Sequence, residues 1–464
     1  MERIKIGDLK GKTGETVMIA GWVDIRRDQG KLIFFDFRDF SGSVQGVILP
    51  NAADVLAVGS RIRSEWVVEV VGKVNQRPEK NIQSEKENGG IELEISSIVV
   101  INEAENPPFD VRSDGRELSE DIRLKYRYLD LRRPRLQKNI RMRDKVISFF
   151  RDYMHANDFV EIETPMLMKG TPEGSREYVV PSRLEKGKFY ALPQSPQQFK
   201  QLAMVAGFER YFQIARCMRD EDLRGDRQPE FTQLDYEMSF VNQEDILIFT
   251  EKMFIEMVKA LFPEKTISQV PFPRITYRES LEKHGSDKPD LRKDKNNPNE
   301  LAFAWIVDFP MFEKSDDGKI QAAHHPFCSI KEEDMEKFMN GEDLMNIRAN
   351  SYDLVLNGYE LSSGSIRIHK SDMQKKVFEL LQISEEEQRL KFGHMLEAFK
   401  YGAPPHGGFA PGIDRIVMLL MAEPNIREVI AFPKTGEGKD PMMDSPSSLS
   451  KSQLSELGLK IDKN

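Results

Sequence analysis

The chain has 464 residues, of which 39% are hydrophobic and 31% charged, and its formal net charge is −9. This composition is typical of a globular protein of two or three domains, and the net acidity excludes a uniformly basic nucleic-acid binder. No segment approaches the roughly 20 apolar residues of a membrane span. The N-terminus lacks the apolar core of a signal peptide, and two cysteines without a CxxC pattern fit a reducing compartment. We therefore expect a cytoplasmic protein with no membrane partner.

Residues 1–101 predict a small β-domain. Five segments rich in Val and Ile alternate or run apolar, and glycines separate them: Glu15–Arg27, Leu32–Arg38, Val44–Leu49, Ile62–Val74 and Ile91–Val100. A short helical piece, Asn51–Val58, lies between the third and fourth segments. Five strands with a helix at this place predict an OB-fold barrel, whose surface commonly binds single-stranded nucleic acid.

The first three strands carry side chains suited to contact a nucleotide base. Phe34 or Phe35 offers a stacking surface, although phenylalanine at alternate positions is more often barrel core. Gln45 offers an amide that can pair with a base edge. Trp22 is expected in the core. The end of the first strand adds three charged residues, Arg26, Arg27 and Asp28.

Residues 102–139 indicate a hinge. Asn106-Pro107-Pro108 breaks regular structure, and a strongly basic stretch follows. A basic run is usually a solvated face, but between two such domains it is also a candidate for phosphate contacts. The basic residues here and just beyond are Arg123, Lys125, Arg127, Arg132, Arg133, Arg135, Lys138, Arg141, Arg143 and Lys145.

Residues 140–464 predict a larger domain of mixed helices and strands. Apolar residues at helical spacing predict a helix over Asn139–Asn157. A strand follows from Phe159 until Pro165 ends it. The Gly- and Pro-rich segment Gly170–Ser175 is a candidate mobile lid.

A second helix is predicted to begin at Ser195-Pro196, with Ser195 as its N-cap. Gln197 and Lys200 are three residues apart, so both can face one pocket. A lysine at a helix start is usually solvated, and the spacing alone leaves that alternative open.

A long charged hairpin runs from Phe212 to Met238. Its arms alternate apolar side chains as strands do, and Pro229 makes the middle a loop. A solvated loop tip is the ordinary interpretation of such charge. However, Gln233 and Asp235 lie among apolar neighbours inside a strand, where a polar group needs a partner. The charged and polar candidates are Arg219, Glu221, Arg227, Gln233 and Asp235.

The C-terminal third holds three further patterns. His324-His325 could suggest a metal, but no third His or Cys ligand follows at zinc-like spacing. Ser351–Leu361 is a strand-like run whose acids, Asp353 and Glu360, could hold Mg²⁺ or be two edge-strand acids. Glycines at 407–412 precede a helix near Asp414, as expected where a backbone approaches a nucleotide.

Met218-Arg219-Asp220-Glu221, followed by the return strand RQPEFTQ, resembles motif 2 of the class II aminoacyl-tRNA synthetases. The similarity is greatest to the bacterial-type aspartyl-tRNA synthetases and extends over nearly the whole chain. The segments that carry it include GWVDIRRDQG in the barrel, TPEG at 171–174, QSPQQFKQ at 194–201, AHHPF at 323–327, GSIRIH at 364–369 and GGFAPGIDR, similar to motif 3, at 407–415.

The resemblance implies an aspartate pocket, an ATP site and a two-step reaction. Arg219 and Arg415 would be catalytic, and Arg367 would select the aspartate side chain by a bidentate pair. The implied aspartate-binding residues are Glu173, Gln197, Lys200, Arg219, Gln233, Asp235, His324 and Arg367. The implied ATP-binding residues are Arg219, Asp220, Glu221, Gln228, Glu360, Gly412, Ile413, Asp414 and Arg415, with Mg²⁺ on Asp353 and Glu360.

The resemblance also implies tRNA as a partner. The anticodon would meet Arg26, Arg27, Asp28, Gln29, Phe34 and Gln45. Of the two phenylalanines, the similarity favours Phe34 as the base platform and Phe35 as core. Gln29 replaces a leucine that is frequent in the family, at a place associated with discrimination between the aspartate and asparagine tRNAs. The helix at Asn139 and its following strand resemble motif 1, which implies a homodimer.

Two departures from the family pattern stand out. HGSDKPDLR at 284–292 resembles the lead-in to the insertion domain of the bacterial enzymes, but only a polar bridge near 293–301 follows. That bridge is too short to hold a domain, so the insertion is expected to be absent. Ser362-Ser363 stands where glycines are more usual.

We therefore predict an α+β protein: an OB-fold barrel joined to a class II catalytic domain with a mixed, mainly antiparallel sheet flanked by helices. The implied activity is ATP-dependent attachment of L-aspartate to tRNA through aspartyl-adenylate. One alternative is a non-discriminating enzyme that also charges the asparagine tRNA. An asparaginyl- or lysyl-tRNA synthetase is disfavoured by Lys200 with Arg367, and a non-catalytic paralogue by the presence of Arg219, Glu221, Glu360 and Arg415.

Overall fold

The computed structural model describes residues 1–170, 175–315 and 318–462. Its internal contacts divide the chain into two compact units, Met1–Val111 and Arg112–Asn464. The second unit therefore begins inside the segment 102–139 that the sequence indicated as a hinge.

The first unit is a closed five-stranded barrel in the order β1-β2-β3-β5-β4, as predicted. Only the β3–β5 pair is parallel. Helix α1 (Ala53–Gly59) lies between the third and fourth strands. The strands are β1 (Thr16–Gln29), β2 (Leu32–Arg38), β3 (Ser43–Ile48), β4 (Val67–Gln76) and β5 (Ile91–Asn102).

Alternation along the strands builds the barrel core. Phe35 and Phe37 point inward and stack at 5.4 Å between ring centroids, whereas Phe34 lies on the outer surface and is half-buried. The expectation that Trp22 is core was wrong, because Trp22 is half-buried and Trp66 is the buried tryptophan of this unit.

The second unit combines a large sheet with helices and small two-stranded sheets. Its strands are β6 (Val160–Glu161), β7 (Val179–Pro181), β8 (Phe189–Ala191), β9 (Arg210–Met218), β10 (Glu230–Ser239), β11 (Thr266–Ile267), β12 (Arg274–Thr276), β13 (Glu300–Leu301), β14 (Phe303–Val307), β15 (Phe312–Lys314), β16 (Ile320–Ala322), β17 (Ser351–Leu356), β18 (Tyr359–Ile366) and β19 (His406–Phe409). Its helices are α2 (Glu120–Lys125), α3 (Arg127–Asp130), α4 (Pro134–Ala156), α5 (Gln197–Val205), α6 (Gln243–Leu261), α7 (Tyr277–His284), α8 (Met335–Asn340), α9 (Ser371–Leu380), α10 (Glu385–Phe399), α11 (Ile413–Leu420) and α12 (Lys451–Leu457).

The large sheet has the strand order β12-β14-β17-β18-β19-β10-β9-β6 among the described residues. Its β6–β9 and β12–β14 pairs are parallel and the others antiparallel, which confirms a mixed, mainly antiparallel sheet. Helices α4, α6 and α11 cover one face, where the main hydrophobic core lies.

Strand β10 explains how the sheet separates core from site. Leu234, Tyr236 and Met238 point into the core. Because side chains alternate along a strand, Gln233, Asp235 and Glu237 lie on the opposite face. All three are buried, so this second face is polar but shielded from solvent.

Two local predictions need correction. Ser351–Leu361 is not one strand but the hairpin β17–β18, turned by Asn357-Gly358, both with positive φ. An Asn-Gly pair favours this tight turn because both residues tolerate left-handed backbone. Helix α5 has Pro196 rather than Ser195 as its N-cap, although the Ser195 hydroxyl still accepts a hydrogen bond from the Gln197 backbone at 3.3 Å.

The buried part of the basic stretch is held in ion pairs, which contradicts the phosphate interpretation for Arg123, Arg127 and Arg133. For the exposed members phosphate contact stays a prediction: Lys125, Lys138, Arg141 and Lys145. Arg123, Arg127 and Arg133 each contact the buried carboxylate of Asp130. Arg123 also forms a bidentate pair with Glu428, at 2.9 and 2.8 Å. These residues join α2–α4 to the C-terminal part of the same unit.

The expected bridge in place of the insertion is a short turn tied by one carboxylate. Glu300 accepts hydrogen bonds from the backbone N–H groups of Lys293 and Asp294, at 3.0 and 3.2 Å, and from the Ser268 hydroxyl. No described helix has the length and apolar character needed to cross a membrane.

Candidate active site

Two neighbouring cavities of the second unit share Arg219, Gln233, Ser363 and Ala410 as lining residues. We name them after one arginine each: the Arg367 cavity measures about 220 Å³ and the Arg415 cavity about 240 Å³. The shared wall places any ligand of one cavity next to a ligand of the other.

The Arg367 cavity carries an excess of positive charge. Its charged lining residues are Lys200, Arg219, Asp235 and Arg367. Lys200 Nζ lies 2.9 Å from Asp235 Oδ2 and 3.5 Å from Glu237 Oε2. Even with Glu237 counted, three cations face two carboxylates, so the cavity suits a ligand of net charge −1.

Arg367 does not present the free bidentate fork that the sequence predicted. Its Nε and Nη2 atoms donate to the two oxygens of Glu237, at 2.9 and 3.2 Å. Its remaining Nη1 lies 2.8 Å from His325 Nε2 and 2.5 Å from Ser365 Oγ. Burial opposes ionisation of Glu237, but Arg367 and Lys200 outweigh it and lower the pKa of that carboxyl. Glu237 therefore fixes the guanidinium plane, and Nη1 contacts His325, which lines the cavity beside Arg367.

The two histidines also line the Arg367 cavity. Desolvation lowers the pKa of both His324 and His325, and the nearby Arg367 lowers that of His325 further. Because a guanidinium can only donate, His325 Nε2 must accept, which requires an unprotonated nitrogen. His324 packs edge-on against Phe309, with ring centroids 4.7 Å apart.

Asp235 presents an unsatisfied acceptor. Its Oδ2 receives Lys200 and Gln233 Nε2, the latter at 3.2 Å, whereas Oδ1 has no partner among the described residues. Burial raises the pKa of Asp235 and Lys200 opposes that rise. An unmade hydrogen bond at a buried group costs about 1–3 kcal/mol, which a bound ammonium group would offset.

The Arg415 cavity combines cations with an aromatic ring. The Arg219 guanidinium lies 5.0 Å from the centroid of the Phe231 ring, and Phe231 also lines this cavity. Arg415 donates to the Glu360 carbonyl oxygen and, at 3.0 Å, to Asp226 Oδ2. A ring for stacking and fixed guanidinium groups suit a purine base and phosphates.

The other predicted nucleotide residues separate into two groups. Glu221, Gln228, Gly412 and Asp414 line the Arg415 cavity. Glu221 is held by Ser175 Oγ and Arg227, and Gln228 by the Lys434 backbone N–H.

Two residues that were predicted to bind ATP lie outside both cavities. Asp220 lies beside Arg176, with 3.7 Å between their charged groups. Ile413 is buried in the hydrophobic core. Glu173, predicted to bind aspartate, is outside the described residues.

Asp353 and Glu360 are brought together by the β17–β18 hairpin. The Ser363 hydroxyl bonds to Glu360 Oε1, at 3.4 Å, and to the Asp353 carboxylate. Burial and then Glu360 raise the pKa of Asp353 well above its usual range. Burial opposes ionisation of Glu360, but Lys288 outweighs it and lowers that pKa. No cluster of three or more metal-ligating side chains occurs among the described residues.

In the barrel, the structure unites some anticodon candidates and separates others. Arg27 donates to Asp36, at 3.0 and 2.8 Å, and to Gln45 Oε1 at 3.3 Å, and Phe34 is directly opposite Arg27 in the sheet. Arg26 and Asp28 pair with each other instead. Gln29 is exposed at the tip of the β1–β2 hairpin.

Comparison with known proteins identifies the family. A family model described as tRNA synthetases class II (D, K and N) matches residues 119–436, and one described as OB-fold nucleic acid binding domain matches residues 17–101. The chain is 43% identical to the aspartate–tRNA(Asp/Asn) ligase of Rubrobacter xylanophilus over 98% of this chain and 96% of the relative. It is 40% identical to the aspartate–tRNA ligase of Staphylococcus haemolyticus over 96% and 97%.

The chain belongs to the class II aminoacyl-tRNA synthetases. The alignment of this synthetase with the Rubrobacter enzyme spans 580 positions, more than the 464 residues of the chain. The relative therefore contains internal residues that this synthetase lacks, which agrees with the expected absence of the insertion domain.

Solved structures share the fold of this synthetase. Asparaginyl-tRNA synthetase from Pyrococcus horikoshii, in complex with asparaginyl-adenylate, superposes with a TM-score of 0.76 at 21% identity, over 94% of this chain and 98% of that one. A putative aspartyl-tRNA synthetase from Leishmania major gives 0.74 at 22% identity, over 93% and 94%. At these identities the likeness is one of fold.

Sequence reasoning missed several residues of these sites in the synthetase, and four of them show why. Glu237 could have been found, because it lies two residues beyond Asp235 and therefore on the same strand face as Gln233 and Asp235. Phe231 opens that series. In the barrel, Arg77 Nη2 donates to Gln45 Oε1 at 3.2 Å, and Gln45 Nε2 donates to Glu92 at 3.3 Å. Those two contacts join strands far apart in sequence and leave no local signal.

Proposed function

We propose that this synthetase attaches L-aspartate to tRNA in two steps. A carboxylate oxygen of aspartate attacks the α-phosphorus of ATP, the bond to diphosphate breaks, and aspartyl-adenylate forms. The 3′-terminal ribose hydroxyl of tRNA then attacks the acyl carbon and AMP leaves. No protein nucleophile is needed, since positioning and charge stabilisation carry both steps.

The observation that carries this proposal is the Arg367 cavity, with its one-unit excess of positive charge, beside a cavity suited to a nucleotide. Free aspartate has net charge −1 and asparagine has none. Lys200 and Arg367 would meet the side-chain carboxylate, and Asp235 Oδ1 the α-ammonium group. A neutral amide would leave the one-unit excess of positive charge in the cavity uncompensated, which favours aspartate over asparagine.

Arg219 is the residue best placed to join the two ligands, because it lines both cavities. We propose that Arg219 contacts the α-carboxylate of aspartate and the α-phosphate of ATP, where charge moves as the adenylate forms. Arg415, Glu221 and Gln228 would hold the rest of ATP, with the base against Phe231. A single preorganised donor of this kind typically contributes about 3–4 kcal/mol.

Mg²⁺ is proposed to accompany ATP at Asp353 and Glu360. The residues fit a hard cation, because two carboxylates share one hydroxyl and Asp353 Oδ1 is buried without a partner among the described residues. When bound, the ion would supply positive charge against the phosphate oxygens.

The range of tRNA substrates is the finer part of the proposal. We favour charging of the aspartate tRNA, with a non-discriminating enzyme as the alternative. Relatives named for both tRNAs, from Rubrobacter xylanophilus and Natranaerobius thermophilus, support that alternative. Exposed Gln29 and the cluster of Phe34, Gln45 and Arg27 would meet the anticodon.

A homodimer in the cytoplasm is also proposed. Helix α4 with β6 has the order of motif 1, and Val160 of β6 keeps 44% of its surface exposed in the single chain. Neither Cys217 nor Cys328 is in a disulfide, which fits a reducing compartment.

The test is charging of purified aspartate and asparagine tRNAs with labelled aspartate and ATP. Charging of the aspartate tRNA alone indicates a dedicated enzyme, and charging of both indicates a non-discriminating one. Absence of charging and of aspartate-dependent ATP–diphosphate exchange would refute the activity and favour a non-catalytic paralogue.

A further inference from the structure

Lys288 contacts one carboxylate oxygen of the pair formed by Asp353 and Glu360. Lys288 Nζ lies 2.8 Å from Glu360 Oε2. The side chains of Lys288 and Glu360 retain 37% and 28% of their exposure, so solvent and ions can reach this contact. Glu360 also lines the Arg415 cavity, whereas Lys288 does not.

The loop that carries Lys288 is fixed to the elements around it. Ser280 of α7, which is fully buried, donates to the Ser286 carbonyl oxygen at 2.6 Å, and the Lys288 backbone N–H donates to Ser286 Oγ at 3.0 Å. Asp290 packs against the β17–β18 turn, where a Cβ on Gly358 would lie 3.5 Å from its Cβ. Because several bonds hold the loop, the approach of Lys288 to Glu360 is built into the fold.

Charge explains what the lysine does there. Asp353 and Glu360 share the Ser363 hydroxyl, and two carboxylates this close disfavour each other's ionised form. One ammonium group satisfies Glu360 Oε2 but leaves Asp353 Oδ1 without a partner among the described residues. A divalent cation could satisfy both carboxylates, so the ammonium and the metal would compete for the same oxygen.

We propose that Lys288 is a resident counter-ion of Glu360 that competes with the divalent cation, so that metal binds well only when nucleotide arrives with it. This inference rests on the proposed function, because it takes Asp353 and Glu360 as the metal site. Lys288 is accordingly a positioning residue: it holds the hairpin carboxylates in the resting enzyme and yields Glu360 when the metal–nucleotide complex binds.

The test is a titration of the full-length protein with Mn²⁺, without nucleotide, followed by electron paramagnetic resonance of the free ion. Lys288→Met removes the competitor and is expected to tighten Mn²⁺ binding about tenfold, a change of roughly 1.4 kcal/mol. If Lys288→Met does not fold, Lys288→Gln replaces it in the titration. Glutamine is neutral but can still donate a hydrogen bond to Glu360. Lys288→Arg keeps the charge and should stay near the unmodified protein.

Two further variants make the titration specific. Lys283→Met removes a surface lysine of α7 that pairs with Glu279 of the same helix at 3.4 Å. It should leave Mn²⁺ binding unchanged. Adding Glu360→Gln to Lys288→Met should abolish the tight site. Unchanged Mn²⁺ affinity in both neutral Lys288 variants would overturn the inference, as would a tight site that survives Glu360→Gln.

The titration uses no aspartate, ATP or tRNA, so its outcome is separate from that of the charging assay. Active charging combined with unchanged Mn²⁺ affinity would reject the role of Lys288 alone. Tighter binding in an enzyme that charges nothing would keep the counter-ion and reject the proposed activity.

Discussion

At the scale of single residues, Arg367 shows how the proposed specificity determinant is held in place. Glu237 accepts from its Nε and Nη2 atoms, and Nη1 contacts His325 and Ser365. The buried carboxylate prevents the guanidinium from rotating, so the cation is held in one orientation. A flexible cation would lose conformational entropy on binding, whereas this one is already ordered.

Replacing Arg367 with Leu should remove aspartate activation. We expect a loss of at least about a hundredfold in aspartate-dependent ATP–diphosphate exchange, because a preorganised cation is missing and the buried Glu237 loses its bidentate partner. Arg348→Leu is the matched control, since it removes a half-exposed Arg–Asp334 pair away from both cavities. Unimpaired exchange in Arg367→Leu would show that the assignment is wrong.

Ser362 offers a prediction about stability rather than activity. Its buried hydroxyl accepts the backbone N–H of Ala410 at 3.0 Å. Ser362→Ala leaves that donor without its partner and should lower the free energy of unfolding by about 1–3 kcal/mol. Urea denaturation compared with Ser448→Ala, at an exposed serine outside both cavities, measures the effect. Equal midpoints for the two variants would contradict it.

At the scale of elements, an ion-pair network joins α2 and α4 to the segment just after α11. Glu428 lies between Arg123 and Arg135, with the latter contact at 2.9 Å. Burial opposes ionisation of Glu428, but Arg123 and Arg135 outweigh it and lower its pKa to about 2. The buried arginines of the basic stretch therefore stabilise the fold and do not form a surface for phosphate: Arg123, Arg127 and Arg133.

This network predicts a specific acid sensitivity. A carboxyl whose pKa falls from about 4.3 in the unfolded chain to about 2 stabilises the protein above pH 4.3 and loses that contribution as pH falls toward 2. Glu428→Gln should lower the free energy of unfolding by roughly 2 kcal/mol at pH 7, after allowance for solvent screening. The difference from the unmodified protein should shrink between pH 4.5 and 2.

Chemical denaturation at several pH values measures that difference. Glu379→Gln, at an exposed Glu–Lys376 pair, is the control and should be neutral throughout. A stability difference that is constant from pH 7 to pH 2 would reject the role of Glu428 ionisation.

At the scale of the whole molecule, the proposed anticodon surface and the proposed active site belong to different units. All residues that line the Arg367 and Arg415 cavities lie in Arg112–Asn464. The Phe34 and Gln45 surface lies in Met1–Val111. Each unit has its own hydrophobic core, so the two activities can be separated by cutting the chain.

A fragment of residues 112–464 should retain aspartate-dependent ATP–diphosphate exchange. Its charging of tRNA should fall by about a hundredfold or more, because base stacking on the barrel is lost. Phe34→Ala in the full chain is a smaller change to the same proposed surface. It should reduce charging of tRNA without changing ATP–diphosphate exchange. Full charging of tRNA by the fragment would show that the barrel is not part of the tRNA-binding site.

The sequence by itself determined the elements and the family. Alternation of Val and Ile predicted the five barrel strands, and helical spacing predicted most of α4, which begins earlier, at Pro134. These signals are local, since each depends on neighbours within a few positions. The motif residues Lys200, Gln233, Asp235 and Arg367 were likewise named from sequence, and the structure places them around one cavity.

Only the tertiary structure decided which charged side chains face a ligand and which face each other. Arg123, Arg133 and Arg367 look alike in sequence and all three are paired in the interior, yet only Arg367 of these three also borders the Arg367 cavity. The contacts of Arg367 with Glu237 and of Lys288 with Glu360 join residues far apart along the chain. Local spacing cannot encode such pairs, because burial and charge partners are fixed only when the sheet brings distant strands together.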